Sequence, residues 1–77
     1  MAKAKPTAGF MVSYTKDNGL VQRGIVRHAE QDPEIIRKKK VKVRLLDDSF
    51  KPLLDENKIE QIVLKDKDKI KIIGYVD

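Results

Sequence analysis

From residue 40 to residue 46 the chain reads KVKVRLL, an alternation of cationic and apolar side chains that breaks only at the closing Leu46. Successive side chains of a β-strand point to opposite faces. The pattern therefore puts Val41, Val43 and Leu45 on a core side and Lys40, Lys42, Arg44 and Leu46 on the other. A strand wet on one face needs further strands to complete its sheet and a second wall to cover its valines.

The remaining chain offers those strands. FMVSYT, from Phe10, alternates with Phe10, Val12 and Tyr14 on one face. KDNG follows, and Asn18-Gly19 marks a turn because both residue types tolerate positive φ. LVQRGIVRH is the return strand, in which Gly24 signals a bulge or a sharp bend. DDSFKPLL reads as a turn and a continuation, with Pro52 confining any pairing to an edge. DENK is another turn. IEQIVL fits a helical face through Ile59, Ile62 and Val63, but its shortness and β-branching favour a strand. KDKDK is a charged connection, and IKIIGYV closes the chain as a strand with Ile70 and Ile72 on one face. Between the second and third strands, Asp32 is a helix N-cap, Pro33 suits the first helical position and Glu34 places an acid in the first turn. A short helical turn from Pro33 to about Lys38 is expected, with Ile35 and Ile36 plugging one end of a barrel.

Five short strands and one helical turn in 77 residues predict a small all-β, five-stranded SH3-like barrel, with an OB-type barrel as the alternative. Val12, Ile25, Val26, Val41, Val43, Leu45 and Ile72 are the expected core, with Phe10 and Phe50 also inside. Residues 1–9 read as a basic arm without apolar periodicity, and residues 10–77 as one domain. Ile, Val, Leu and Phe supply 23 of the 77 residues, enough for a core in so small a chain.

Several function classes have no support. The chain has no Cys, hence neither disulfide nor thiolate metal site, which suits the cytoplasm. No apolar run approaches a membrane span, and Lys3 and Lys5 precede no signal-peptide core. His28 is the only histidine, and nothing sets it beside Ser13 or Ser49 as a base beside a nucleophile. Asp47-Asp48 and Asp55-Glu56 read as turn formers rather than ligands of a hard cation. No phosphate-loop or dinucleotide motif occurs, so neither an enzyme nor a cofactor is expected.

Gly19-Leu20-Val21-Gln22-Arg23-Gly24-Ile25-Val26, followed after a spacer by Val41-Lys42-Val43, resembles the KOW motif of SH3-like barrels in ribosomal proteins and transcription elongation factors. Gly24-Ile25-Val26 matches the family's glycine before a hydrophobic pair, and Val12 the strand before it. The Lys-Gly pairs common in the family's turn are absent, and the spacer containing Asp32-Pro33 is long. The resemblance implies RNA or ribosome binding.

Charge points the same way. Residues 1–46 carry 11 cations and 4 carboxylates, whereas residues 47–77 carry 6 and 8. Six cations fall in the eight positions from Arg37 to Arg44. Arg37, Lys38 and Lys39 sit where a helix C-terminus favours positive charge. Lys40, Lys42 and Arg44 form a strand's outer face, which Arg23 and Arg27 extend if a bulge at Gly24 turns one of them outward. Such a face fits an RNA or DNA backbone, or an acidic protein. Of four aromatics, Tyr14 and Tyr75 are the candidates for stacking on bases. The other reading is a small protein-interaction module, self-associating through a free strand edge, whose cations only solvate it.

Overall fold

The computed structural model describes residues 8–76. Five strands, β1 (Gly9–Thr15), β2 (Val21–Arg27), β3 (Lys40–Leu46), β4 (Ile62–Asp66) and β5 (Lys71–Val76), form one antiparallel sheet in the order β4-β3-β2-β1-β5. This is the strand order of an SH3-like barrel. The helical turn is there too, as α1 (Pro33–Arg37), capped by Asp32, whose Oδ1 accepts from the Glu34 N–H at 2.8 Å.

Chain connectivity forces the sheet to curl. β4 and β5 are its two edges, yet only residues 67–70 join them. The edges of a flat five-stranded sheet stand about 19 Å apart. Five Cα steps reach at most about 18 Å, and the 3-10 turn Lys67–Lys69 shortens this further. A contact across the interior shows the result: Lys65 Nζ of β4 lies 4.5 Å from the Tyr14 ring centre of β1, although β2 and β3 separate those strands in the sheet.

The core is the inner face of this curl. Val12, Tyr14, Val26, Val43 and Leu45 are buried together, and Phe10, Val41, Leu53, Val63 and Ile70 pack against them. Gly24 makes this tightness possible. A Cβ there would meet Val43 Cγ1 at 2.3 Å and the Arg44 carbonyl oxygen at 2.9 Å. The β1–β2 register runs past it without a shift, so Gly24 is a point of close approach and not a bulge. The bulge lies elsewhere, between Met11 and Val12 where β1 pairs with β5.

Other expectations need correction. The N-terminal arm up to Thr7 lies outside the described residues, but Gly9 already belongs to β1 and is buried. β4 begins at Ile62 and takes in Lys65 and Asp66, because Lys40 and Val41 of β3 offer them ladder partners. Ile72 faces Val12 across the ladder but remains 49% exposed, since β5 is an edge with nothing beyond it among the described residues. Ile25 is buried, but outside the core cluster, on the outer face opposite Met11 and Arg44. Ile36 is 59% exposed and plugs nothing, while Ile35 is half-buried. Phe50 is also exposed: it occupies a turn position with φ 61° that directs it away from the core.

Candidate anion-binding surface

β3 shows its cations outward, as its alternation requires. Lys40, Lys42 and Arg44 lie opposite Asp66, Leu64 and Ile62 of β4. Arg23 and Arg27 share the outer parity of Ile25, so both belong to this face without a bulge. The sheet thus brings five of the eight candidate residues onto one side. Arg37, Lys38 and Lys39 stand apart from them, at the end of α1.

Acids meet five of the eight candidate cations. Lys40 Nζ is bonded to Asp66 Oδ1. Arg44 Nε donates to both Glu30 carboxylate oxygens at 2.7 and 2.6 Å, and its Nη1 to Glu60. Arg27 lies 3.8 Å from Glu30, Arg23 3.6 Å from Asp48, and Arg37 2.8 Å from Glu34. Arg44 holds the Glu30 carboxyl below the usual carboxylate range, and Lys40 does the same to Asp66. The reciprocal pull raises the Arg44 guanidinium. Sequence-distant acids therefore account for Lys40 and Arg44 of the cation run, and Glu34, three residues away, for Arg37. Of the eight candidates only Lys38, Lys39 and Lys42 have no ion-pair partner among the described residues.

The uncompensated charge lies at one place. Residues 38–42 hold four lysines, and residues 65–69 hold three lysines and two aspartates, giving these ten residues +5 together. The other 67 residues hold ten cations and ten carboxylates. The fold joins the two segments through the β3–β4 ladder and a 3.0 Å bond from the Lys67 N–H to the Lys39 carbonyl. Lys67 was not among the sequence candidates, because only the tertiary fold puts it beside Lys39.

Lys39, Lys40 and Lys67 rim a groove of about 280 Å³ whose floor includes Phe10, Val26, Ile36 and Val41. Lys39 follows the C-cap Lys38 with φ 57°, a left-handed position where glycine is the usual residue. A bulky side chain there costs about 1–2 kcal/mol of backbone energy, yet the position carries a cation.

The two stacking candidates diverge. Tyr14 is in the core under Lys65, and burial raises its hydroxyl pKa. Tyr75 is 81% exposed on β5. His28 is exposed at the start of a 3-10 turn, its ring centre 5.7 Å from that of Phe10. Asp47 and Asp55 are turn formers: each Oδ1 accepts two backbone N–H groups of its own turn. No group of three or more His, Asp or Glu residues able to hold a metal occurs among the described residues. No helix among them is long and apolar enough to cross a membrane. Compared with family models, curated proteins and solved structures, the chain has no match.

Proposed function

We propose that this is a non-catalytic domain that binds the phosphate backbone of a nucleic acid at the junction of residues 38–42 and 65–69. The carrying observation is the location of charge: these ten residues hold the whole net +5 of the chain. Lys38, Lys39 and Lys67 are the central contacts, with Lys42 beside them on β3. Phosphates would meet Lys39 and Lys67 on the rim of the groove and Lys38 next to Lys39 outside it, and a sugar or base edge its apolar floor. A cation kept at a strained left-handed position supports the reading, since a purely structural C-cap is better served by glycine. The KOW-like stretch around Gly24 points in the same direction. Lys40 and Arg44, already paired to acids, serve mainly to hold the strands in register.

Fluorescence anisotropy with generic RNA and DNA oligonucleotides across a salt series tests this. Affinity should fall steeply with salt as counterions are released. Changing Lys38, Lys39 and Lys67 together to Gln should reduce the salt slope by up to about three units. Lys40→Gln should leave the slope nearly unchanged. A wild-type chain that binds neither nucleic acid at about 20 mM salt, where such contacts are strongest, overturns the proposal.

A further inference from the structure

β5 carries one residue more than the stretch of β1 that it faces. Met11 pairs with Gly74 but Val12 with Ile72, so Ile73 is the extra residue of a bulge. In a regular strand Ile72 and Tyr75, three positions apart, would point to opposite faces. The bulge turns both to one side, and Tyr75 stands directly opposite Phe10. Residues so paired have Cβ atoms about 4.5–5.5 Å apart. Phe10 in turn lies in the floor of the groove that Lys39, Lys40 and Lys67 rim, and its ring is tilted 58° against that of the exposed His28. Tyr75 itself is 81% exposed. Single exposed apolar side chains are ordinary. This one is aimed, by an irregularity of its strand, at the floor of a groove ringed with lysine.

We infer that Tyr75, continued by Phe10, is a base-stacking platform, and that the groove takes a single-stranded nucleic acid without regard to its sequence. The inference rests on the nucleic-acid reading above and names the form of nucleic acid. Charge selects the occupant: the lysine rim takes phosphates, and the rings beside it take what a nucleic-acid strand carries next to its phosphates. In a duplex the faces of the bases are covered by their neighbours, and only their edges are open in the grooves. A ring can stack only on a base that has left the pair. Shape agrees. A duplex is read by an element that enters its groove, whereas here the protein supplies the groove, and α1, with five residues, is too short to serve as a reading helix. Tolerance of sequence follows from the lining. Its neutral polar side chain, Gln31, is engaged with the Arg27 and Lys42 carbonyls and the Lys42 N–H. The side chains left to meet a ligand are cations and apolar groups, and every base has a face for a ring. The same lining does not select between ribose and deoxyribose.

Fluorescence anisotropy tests it with a labelled mixed-sequence strand, as RNA and as DNA, the duplex that each forms with its complement, and an abasic strand of the same length. The unpaired strand should bind more tightly than its duplex, the reverse of what charge density alone gives. The abasic strand should bind about tenfold more weakly than the strand with bases. Tyr75→Ala should weaken binding of the unpaired strand about tenfold at every salt concentration, with the salt slope unchanged, and leave abasic binding as it was. Tyr75→Phe keeps the ring and should bind within about twofold of wild type. The exposure of Tyr75 lets both variants keep the wild-type thermal midpoint, which checks their folding. A duplex bound as tightly as the strand overturns the inference, and so does a Tyr75→Ala chain that binds the strand like wild type. Either result leaves the phosphate-binding reading standing. A wild-type chain that binds none of these ligands at about 20 mM salt overturns that reading itself, and this inference with it.

Discussion

Gln31 does with one side chain what a neighbouring strand does with its backbone. The β2–β3 ladder pairs only Arg23, Gly24 and Ile25 with Leu46, Leu45 and Arg44, after which the two strands diverge. The Gln31 amide spans the gap: Nε2 donates to the Arg27 and Lys42 carbonyls at 3.2 and 3.1 Å, and Oε1 accepts the Lys42 N–H at 3.0 Å. Gln31→Ala leaves these part-buried groups short of partners and should destabilise the domain by about 1–3 kcal/mol. Gln31→Glu keeps the acceptor but turns a carboxylate toward two carbonyls, and should cost at least as much. Urea denaturation reads both as a lower midpoint with an unchanged slope. A wild-type midpoint for Gln31→Ala would show the bridge to be incidental. Nothing in AEQDP marks Gln31 for this role, because its partners are set by how far β2 and β3 diverge. Gly24 was legible as a special position, but the contact with Val43 that makes it special belongs to packing.

At the scale of elements, one turn design recurs three times. In residues 16–20, 47–51 and 55–59 the first N–H bonds the carbonyl of the fifth residue, at 2.8, 2.8 and 2.9 Å. The fourth N–H bonds back to the first carbonyl, at 2.9, 3.0 and 2.9 Å. The fourth residue is left-handed each time: Gly19 at φ 84°, Phe50 at 61° and Lys58 at 61°. This is a three-residue hairpin loop ending in a left-handed bulge position. The Asn-Gly and Asp-led stretches announced turns correctly, whereas Phe50 read as core because a bulky aromatic rarely takes positive φ. What Phe50 has instead is the Arg23 guanidinium, 5.2 Å from its ring centre. Lys58→Gly should therefore stabilise the domain by about 0.5–1 kcal/mol, the relief of the left-handed strain outweighing the extra freedom of the unfolded chain. Phe50→Gly should gain less, because it also gives up a cation–π contact worth about 0.5–1 kcal/mol. Thermal melts of the two variants check this, and equal shifts would deny the Arg23 contact any weight.

For the molecule as a whole, period-2 patterning made the barrel legible, since Val12, Val26, Val43 and Leu45 must share an interior once their strands pair. The cations of β3 were legible in the same way, but not their neutralisation, because Glu30, Glu60 and Asp66 reach them only in the folded chain. That network ties the 3-10 turn His28–Glu30, the strand β3 and the 54–60 hairpin into one unit, and it gives the domain a particular weakness toward acid. Glu30 is held below the usual carboxylate range, chiefly by its hydrogen bond from Arg44. A carboxyl whose folded pKa is depressed contributes stability above its unfolded pKa, about 4.3 for Glu, and loses that contribution as pH falls through the folded value. Asp66, lowered by Lys40, acts with the same sign from a more exposed position. The thermal midpoint of the wild-type chain should therefore fall as pH is lowered from 5 toward 3. Glu30→Gln should be the less stable protein at neutral pH, by about 1–2 kcal/mol, with a shallower acid dependence. The two curves should converge at low pH, where a protonated Glu30 offers Arg44 little more than Gln does. Parallel curves would mean that the acid sensitivity arises from other carboxylates and that the Glu30–Arg44 pair adds little to stability.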